Sequence, residues 1–394
     1  MKPLPLDGML VVALEQAVAA PLASRHLADL GARVVKLERP DGGDFARSYD
    51  HAVRGLASHF VWLNRGKESV AVDLKTPGGR EVLGRLLARA DVFLHNLGPG
   101  AVERLGFGAD VLRTRQPRLV VCTMSGYGST GPFRDKRAYD LLVQSEAGLV
   151  AVTGSPEHPA KAGIPVADIA SGMYAFGNTL AALIHRERTG EGAAFEVTML
   201  DALVEWMGHP ILATDGTGQA PPRVGLSHPV IAPYDAYPTS DGHEVVIGIQ
   251  NDREWVRLAT DVLGRPELAT DPEFATNVAR VRNREAVDSA VAEAMAKLPV
   301  DDAIRALDDA RIASARLREV SEVLDHPQLA ARDRWRETTT PVGDVRALRS
   351  AIEPVGESPM GPVPDLGQHT DAVLAELGFT TDEIGAMRAQ GTVV

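Results

Sequence analysis

The 394-residue chain contains one cysteine, Cys122. That excludes an intramolecular disulfide and a multi-cysteine metal site. Cys122 lies in the apolar run Leu119–Met124, which reads as a buried strand where a thiol is inert. So little cysteine fits a cytoplasmic setting. No apolar stretch approaches the roughly 20 residues that span a bilayer, so no membrane association is expected. The segment Met1–Gly8 lacks the apolar core of a signal peptide. Basic residues are in the minority: 41 Lys and Arg against 53 Asp and Glu give a net charge of -12. A nucleic-acid partner is therefore not expected. Also missing are a G-x-S-x-G elbow, an H-E-x-x-H pair, a phosphate-binding G-x-x-x-x-G-K-[ST] loop and any clustered His/Cys set. No metal is expected.

What is present is the composition of a soluble globular protein, 44% apolar and 24% charged. The length suggests two domains. Strand-like runs at Met9–Leu14, Arg33–Leu37, Val70–Asp73, Val92–His95, Leu119–Met124 and Phe195–Thr198 alternate with helical patterns at Leu22–Leu30, Pro77–Ala90 and 169–188. Such alternation predicts an α/β fold with a mostly parallel, doubly wound, Rossmann-like sheet. The large domain is assigned to 1–215 and completed by 331–394. A Pro/Gly-rich linker is placed at 216–233. The stretch 234–330, with a Ser240-Asp241-Gly242 hairpin turn, is assigned to a smaller α+β domain.

Gly126-Tyr-Gly-Ser-Thr-Gly131 matches G-x-G-x-x-G, but Pro132–Arg137 after it has no helical periodicity. A dinucleotide site needs a helix to start there, so neither nicotinamide nor flavin is expected. Arg39, Arg65, Lys67, Lys75, Arg104, Lys136 and Arg137 fall at loop positions, several beyond the carboxyl ends of strands, where open α/β sheets bind ligands. Each alone is an ordinary surface charge; together they suit a phosphorylated nucleotide. Asp168 stands just ahead of a run with apolar residues at Ile169, Met173, Phe176, Leu180 and Ile184. Taken alone, it reads as a helix N-cap, with the helix dipole holding its carboxylate ionised.

The chain resembles the family III CoA-transferases, the superfamily of formyl-CoA transferase and α-methylacyl-CoA racemase. The resemblance rests on Pro5–Gly8, Val35–Arg39, Asn64–Lys67, Asp73–Pro77, Asn96–Gly100 with Arg104–Gly106, Ala138–Asp140, Ala167-Asp168 and Arg188–Gly192, in order over the first half. It implies a homodimer of two interlocked ring-like subunits and coenzyme A, as acyl-CoA, for a substrate. It implies Asp168 as a nucleophile that forms a mixed anhydride and then aspartyl-CoA. It places Arg39, Lys75 and Arg137 near the CoA phosphates, and Asn96, Leu97, Arg104 and Leu105 along the adenine and pantetheine path. Ala17 and Ala19 present backbone at the mouth.

Where the racemase branch pairs its aspartate with histidine, this chain has Tyr139. Tyrosine is a poor proton shuttle at neutral pH, which favours transferase over 2-methylacyl-CoA racemase or epimerase. A CoA-binding protein without catalysis is the third reading. Where formyl-CoA transferase has a run of glycines, this chain has Gly248–Trp255. With His228–Tyr234, that stretch resembles the branch acting on C4–C5 dicarboxylic acids of the succinate, itaconate, mesaconate or malate type. Gln250 and Asn251 are placed to bond a distal carboxylate, or else simply end a strand.

Overall fold

The computed structural model describes residues 3–394. The chain divides into two compact units. The first comprises Met1–Leu149, Ala162–Gly208 and Leu329–Val394, and the second Val150–Lys161 and His209–Gln328.

The first unit is built on six strands: β1 (Leu10–Leu14), β2 (Arg33–Glu38), β3 (Lys67–Ala71), β4 (Val92–His95), β5 (Val120–Ser125) and β6 (Ala194–Thr198). Their order is β3-β2-β1-β4-β5-β6 and every pairing is parallel. The order reverses between β1 and β4, which opens a crevice at the carboxyl ends of these two strands.

Four helices matter for the site: α1 (Ala19–Asp29), α2 (Pro77–Leu87), α3 (Asp140–Glu146) and α4 (Val166–Thr189). Both faces of the sheet are covered, so its strands read as continuous apolar runs rather than alternating ones. On one face Val12, Leu14, Val35, Phe93 and Val121 pack with Val82, Leu83 and Leu86 of α2 and with Val373, Leu374 and Ile384 near the C-terminus. On the other, Val11, Ala13, Val34, Leu94 and Cys122 pack with Ala23 and Leu27 of α1 and Phe176 and Leu183 of α4. Cys122 is fully buried, which pushes its thiol up to about 12. Helix α2 starts at Pro77 with Thr76 capping the Gly79 N–H at 3.0 Å. Helix α4 ends at Gly190, whose φ of +82° fits the left-handed stop.

The second unit holds an antiparallel sheet, β7 (Tyr234–Pro238), β8 (Glu244–Gly248) and β9 (Ala313–Arg316). Val245, Ile247 and the fully buried Trp255 form its core with Val291, Met295 and Leu307. The Pro/Gly-rich stretch is tied down within this unit: the Arg223 guanidinium donates to the carbonyls of Ala151, Ser155 and Pro156. No helix among the described residues is long and apolar enough to cross a membrane.

Several elements differ from the sequence-based expectation. β3 begins three residues early, at Lys67 rather than Val70, because Lys67 and Ser69 are buried and internally bonded. A hairpin of Trp335–Thr340 and Gly343–Leu348 was not predicted; its alternating charges conceal the strand pattern. Nor was helix Thr381–Ala389, although Thr380 and Glu383 form a capping box.

Candidate active site

A cavity of about 500 Å³ opens at the strand-order reversal, a size usual for small-molecule sites. It is lined by the carboxyl ends of β1 and β2, the Asp73–Lys75 loop after β3, and Leu97, Ala101, Arg104 and Leu105 after β4. Of the expected ligand contacts, the fold brings Arg39, Lys75, Leu97, Arg104 and Leu105 together here. Arg39, Lys75 and Arg104 are exposed cations on its rim. The nearest acidic groups of the interior are already neutralised: Glu15 by Lys67 at 2.6 Å, Asp44 by Lys36 at 2.6 Å and Glu38 by Arg47 at 2.8 Å.

Two basic residues of the expected nucleotide site turn inward instead. Arg65 pairs with Asp29 at 2.8 Å and is buried, and Lys67 lies in the core between Glu15, Asn64 and the Pro21 carbonyl. A charge beside a glycine looked like a loop; its partners are distant in sequence. Lys136 pairs with Glu146 and lies 4.2 Å from the Phe133 ring centroid.

Asn96 does not line the cavity but fixes a residue that does. Its side chain accepts from the Gln16 N–H at 2.9 Å and donates to the Gln16 carbonyl at 2.8 Å. The Gln16 side-chain oxygen is buried without a partner among the described residues. Ala17, next along, has φ of +64°, a left-handed conformation uncommon for any residue but glycine. Ala19 begins α1, and its carbonyl faces Gly172 of α4, where an added Cβ would sit 2.7 Å away. Only glycine permits that approach, which brings the first turns of α4 onto the start of α1.

Asp168 is the third residue of α4, not its N-cap; Pro165 occupies the cap position and supplies no side-chain bond. The capping group is Asp140 at the start of α3, which accepts from the backbone N–H of Ala167 at 2.8 Å and of Asp168 at 3.4 Å. Gln144, fully buried, donates to the other Asp140 oxygen at 2.5 Å and accepts from the Ala162 N–H at 2.9 Å. The Asp168 carboxylate itself is half-buried with no hydrogen-bond donor or cation against it among the described residues. Burial, and then the negative charge of Asp140, raise its pKa from the ordinary 3.8 to about 7. The helix dipole favours the ionised form by only roughly 0.3–1 kcal/mol, whereas one pKa unit is about 1.4 kcal/mol. Desolvation therefore outweighs the dipole, and the expectation of a dipole-held carboxylate is corrected.

Tyr49 is half exposed. Burial raises its phenol above the usual value, helped by Asp44 on the cavity side and by Asp168 and Tyr139 on the other. Sequence reading missed Tyr49, and no local pattern marks it. Tyr139 is 67% exposed at the N-cap of α3, and Arg137 is exposed without a partner among the described residues. Neither lines the cavity. Gln250 and Asn251 belong to the second unit. Asn251 caps the helix Asp252–Arg257 by accepting the Glu254 N–H at 3.1 Å, and the Gln250 N–H donates to Glu254 at 2.7 Å. Among the described residues, no group of three or more His, Cys, Asp or Glu is arranged to hold a metal.

The first unit thus combines a parallel sheet, a crevice rimmed by cations and a desolvated aspartate near the start of α4. Comparison with known proteins gives the class. The chain belongs to CoA-transferase family III, whose family model matches residues 6–370. It is 38% identical to the acetyl-CoA:oxalate CoA-transferase of Acetobacter aceti, over 84% of this chain and 85% of that one. It is 34% identical to the succinate–glutarate CoA-transferase of Agrobacterium fabrum, over 95% and 96% respectively. A CAIB/BAIF family protein from Brucella suis has the same fold, with a TM-score of 0.85 and 34% identity, covering 95% of this chain and all of that one. The protein is an enzyme of the CoA-transferase class.

Proposed function

We propose that the protein moves CoA between a short acyl-CoA and a dicarboxylic acid through covalent intermediates on Asp168. The observation that carries the reading is the unpaired, desolvated Asp168 carboxylate at the start of α4, four residues before Gly172, which packs on the Ala19 carbonyl of the turn that borders the cavity. In the proposed course Arg39, Lys75 and Arg104 hold the CoA phosphates, with Leu97 and Leu105 along the adenine and pantetheine path. The pantetheine arm passes the Gln16–Ala19 turn to reach Asp168, with Asn96 fixing that turn, and Arg137 and Tyr139 flank the approach.

An Asp168 oxygen attacks the thioester carbonyl carbon. A C–O bond forms, the C–S bond breaks, and CoA leaves as thiolate from a mixed anhydride. The thiolate then attacks the Asp168 carbonyl carbon, releases the donor acid as its carboxylate and leaves aspartyl-CoA. The acceptor carboxylate repeats the two steps in reverse, so no proton has to be relayed. A nucleophile of this kind divides one difficult displacement into easier ones. An anhydride hydrolyses in water, so a half-buried carboxylate suits it.

The dicarboxylic acid class is supported by the oxalate and succinate–glutarate enzymes among the relatives. Gln250 and Asn251 are the residues proposed to bond the acid's distal carboxylate. The large domain of 1–215 with 331–394, the linker and the smaller domain of 234–330 are part of the same reading. So are a cytoplasmic location and an interlocked homodimer. Exposed apolar side chains on Tyr139, Leu141, Leu142 and Ile184 support a further covering surface. Tyr139, in place of histidine, supports transferase over racemase.

The test is a matrix of CoA donors (acetyl-CoA, succinyl-CoA) against acids (oxalate, succinate, glutarate, mesaconate), following new CoA esters by mass spectrometry. Exchange with at least one dicarboxylic acid is expected. Incorporation of solvent deuterium at Cα of an acyl-CoA without any exchange would instead assign the racemase chemistry.

A further inference from the structure

We propose that Asp44 is a positioning residue for acyl transfer, acting through the backbone of Ala17; the inference rests on the transferase reading above. Among the described residues four non-glycine residues have positive φ: Ala17, Arg54, Arg311 and Asp333. The last three are exposed. Ala17 instead follows the carboxyl end of β1, next to the cavity-lining Gln16, and its N–H is held by a buried carboxylate.

The constraint is visible on both sides of the turn. Asp44 Oδ1 accepts the Ala17 N–H at 2.9 Å and the Ala46 N–H at 2.9 Å. Its Oδ2 accepts from Lys36 Nζ at 2.6 Å, and neither side chain of that pair has any exposure. Lys36 also lies 3.5 Å from both the Glu15 carboxylate and its carbonyl. The Asp44 N–H donates to Glu38 at 3.0 Å. On the opposite side Asn96 grips the N–H and carbonyl of Gln16. Residues 16 and 17 are thus latched from both flanks by side chains belonging to other elements.

Stability alone accounts poorly for this arrangement. A buried ion pair is often matched or bettered by apolar side chains of similar volume, and a left-handed alanine works against the fold. Backbone strain of this kind persists where the surroundings over-determine it, and such places cluster at ligand sites. The latched turn has Gln16 lining the cavity on one side and the Ala19 carbonyl against Gly172 on the other, one turn past Asp168. Asp44 therefore sets the spacing between a thioester entering from the cavity and the Asp168 carboxylate. It does so without touching the Asp168 side chain.

The test compares the full chain with Asp44→Ala, Asp44→Asn and Ala17→Val. The readouts are free-CoA binding by calorimetry, steady-state transfer and thermal melting. Asp44→Ala removes the acceptor. Ala17→Val leaves the Asp44–Lys36 pair intact but cannot hold a left-handed φ comfortably. The expected result is a kcat lower by about 100-fold in both, the scale of a 1 Å misplacement, with the Kd for free CoA rising far less than kcat falls. Asp44→Asn, which keeps an oxygen for the Ala17 N–H, recovers most of the loss. If Asp44→Ala does not fold, Ala17→Val decides alone. The proposal is overturned by a folded Ala17→Val or Asp44→Ala with unmodified kcat, by a Kd for CoA that rises in step with the loss of rate, or by failure of both to fold. If the unmodified protein neither binds CoA nor exchanges it, the functional reading itself has failed, and the proposal falls with it.

Discussion

Asp140 and Asp168 are joined through one backbone group: the Asp140 carboxylate accepts the Asp168 N–H at 3.4 Å. The residue that caps α4 is thereby also the negative charge that, after burial, opposes ionisation of the Asp168 side chain. Asp140→Asn keeps an acceptor for the helix but removes the charge. A pH profile of kcat/KM for acyl-CoA reports ionisations of the free enzyme. Its acid limb is expected near pH 7, set by Asp168, and is expected to move to lower pH in Asp140→Asn. A limb that stays in place would assign it to another group.

The same carboxyl has a consequence for stability. Asp168 is raised from 3.8 to about 7 in the folded protein, so the folded state holds its proton where the unfolded state has lost it. Its favourable contribution is full below pH 3.8 and is lost as the pH rises through about 7. Asp168→Asn, which carries no charge at any pH, is therefore expected to melt higher than the unmodified protein above pH 7. The difference should shrink as the pH falls toward 4. Thermal melts across that range check the prediction, and a constant offset would contradict it.

In the proposed reading the cavity rim serves binding and not chemistry. Arg39, Lys75 and Arg104 are exposed there and none reaches the Asp168 carboxylate. Alanine at Lys75 or Arg104 should raise KM for acyl-CoA by roughly 10- to 100-fold, the worth of one hydrogen bond to a charged group, with little change in kcat. Added salt should weaken the unmodified enzyme more than either variant. A fall in kcat at constant KM would move these residues into the chemical step.

Gly172 tests the helix contact. A Cβ there would meet the Ala19 carbonyl at 2.7 Å and the Leu22 side chain at 3.1 Å. Gly172→Ala is expected to cost about 1–3 kcal/mol, typical of overpacking, measured by denaturant unfolding. Transfer should also slow, because α1 and the Asp168 turn are pushed apart. A neutral substitution would mean that the two helices can separate freely.

The sheet was legible because buried parallel strands are apolar on both faces. Runs such as Val92–His95 stand out whatever their partners. The loop cations that line the cavity, Arg39, Lys75 and Arg104, were picked out through the family resemblance. What escaped was everything built from distant pairs. Lys67 looked like a loop charge because its partner Glu15 is 52 residues away. Asp168 looked like a cap because the true cap, Asp140, lies 28 residues upstream and no local pattern connects them. The Lys36–Asp44 pair and the left-handed Ala17 carry no signal in a single sequence, since nothing in residue type says that a charge is buried.

The most direct test of the central claim is peptide mapping by mass spectrometry after incubation with an acyl-CoA donor, with hydroxylamine as a trap. The account predicts a hydroxamate on the peptide containing Asp168, formed only when donor is present and absent from Asp168→Asn, which transfers on the order of 1,000-fold or more slowly. A hydroxamate at another residue, or full exchange activity in Asp168→Asn, would contradict it.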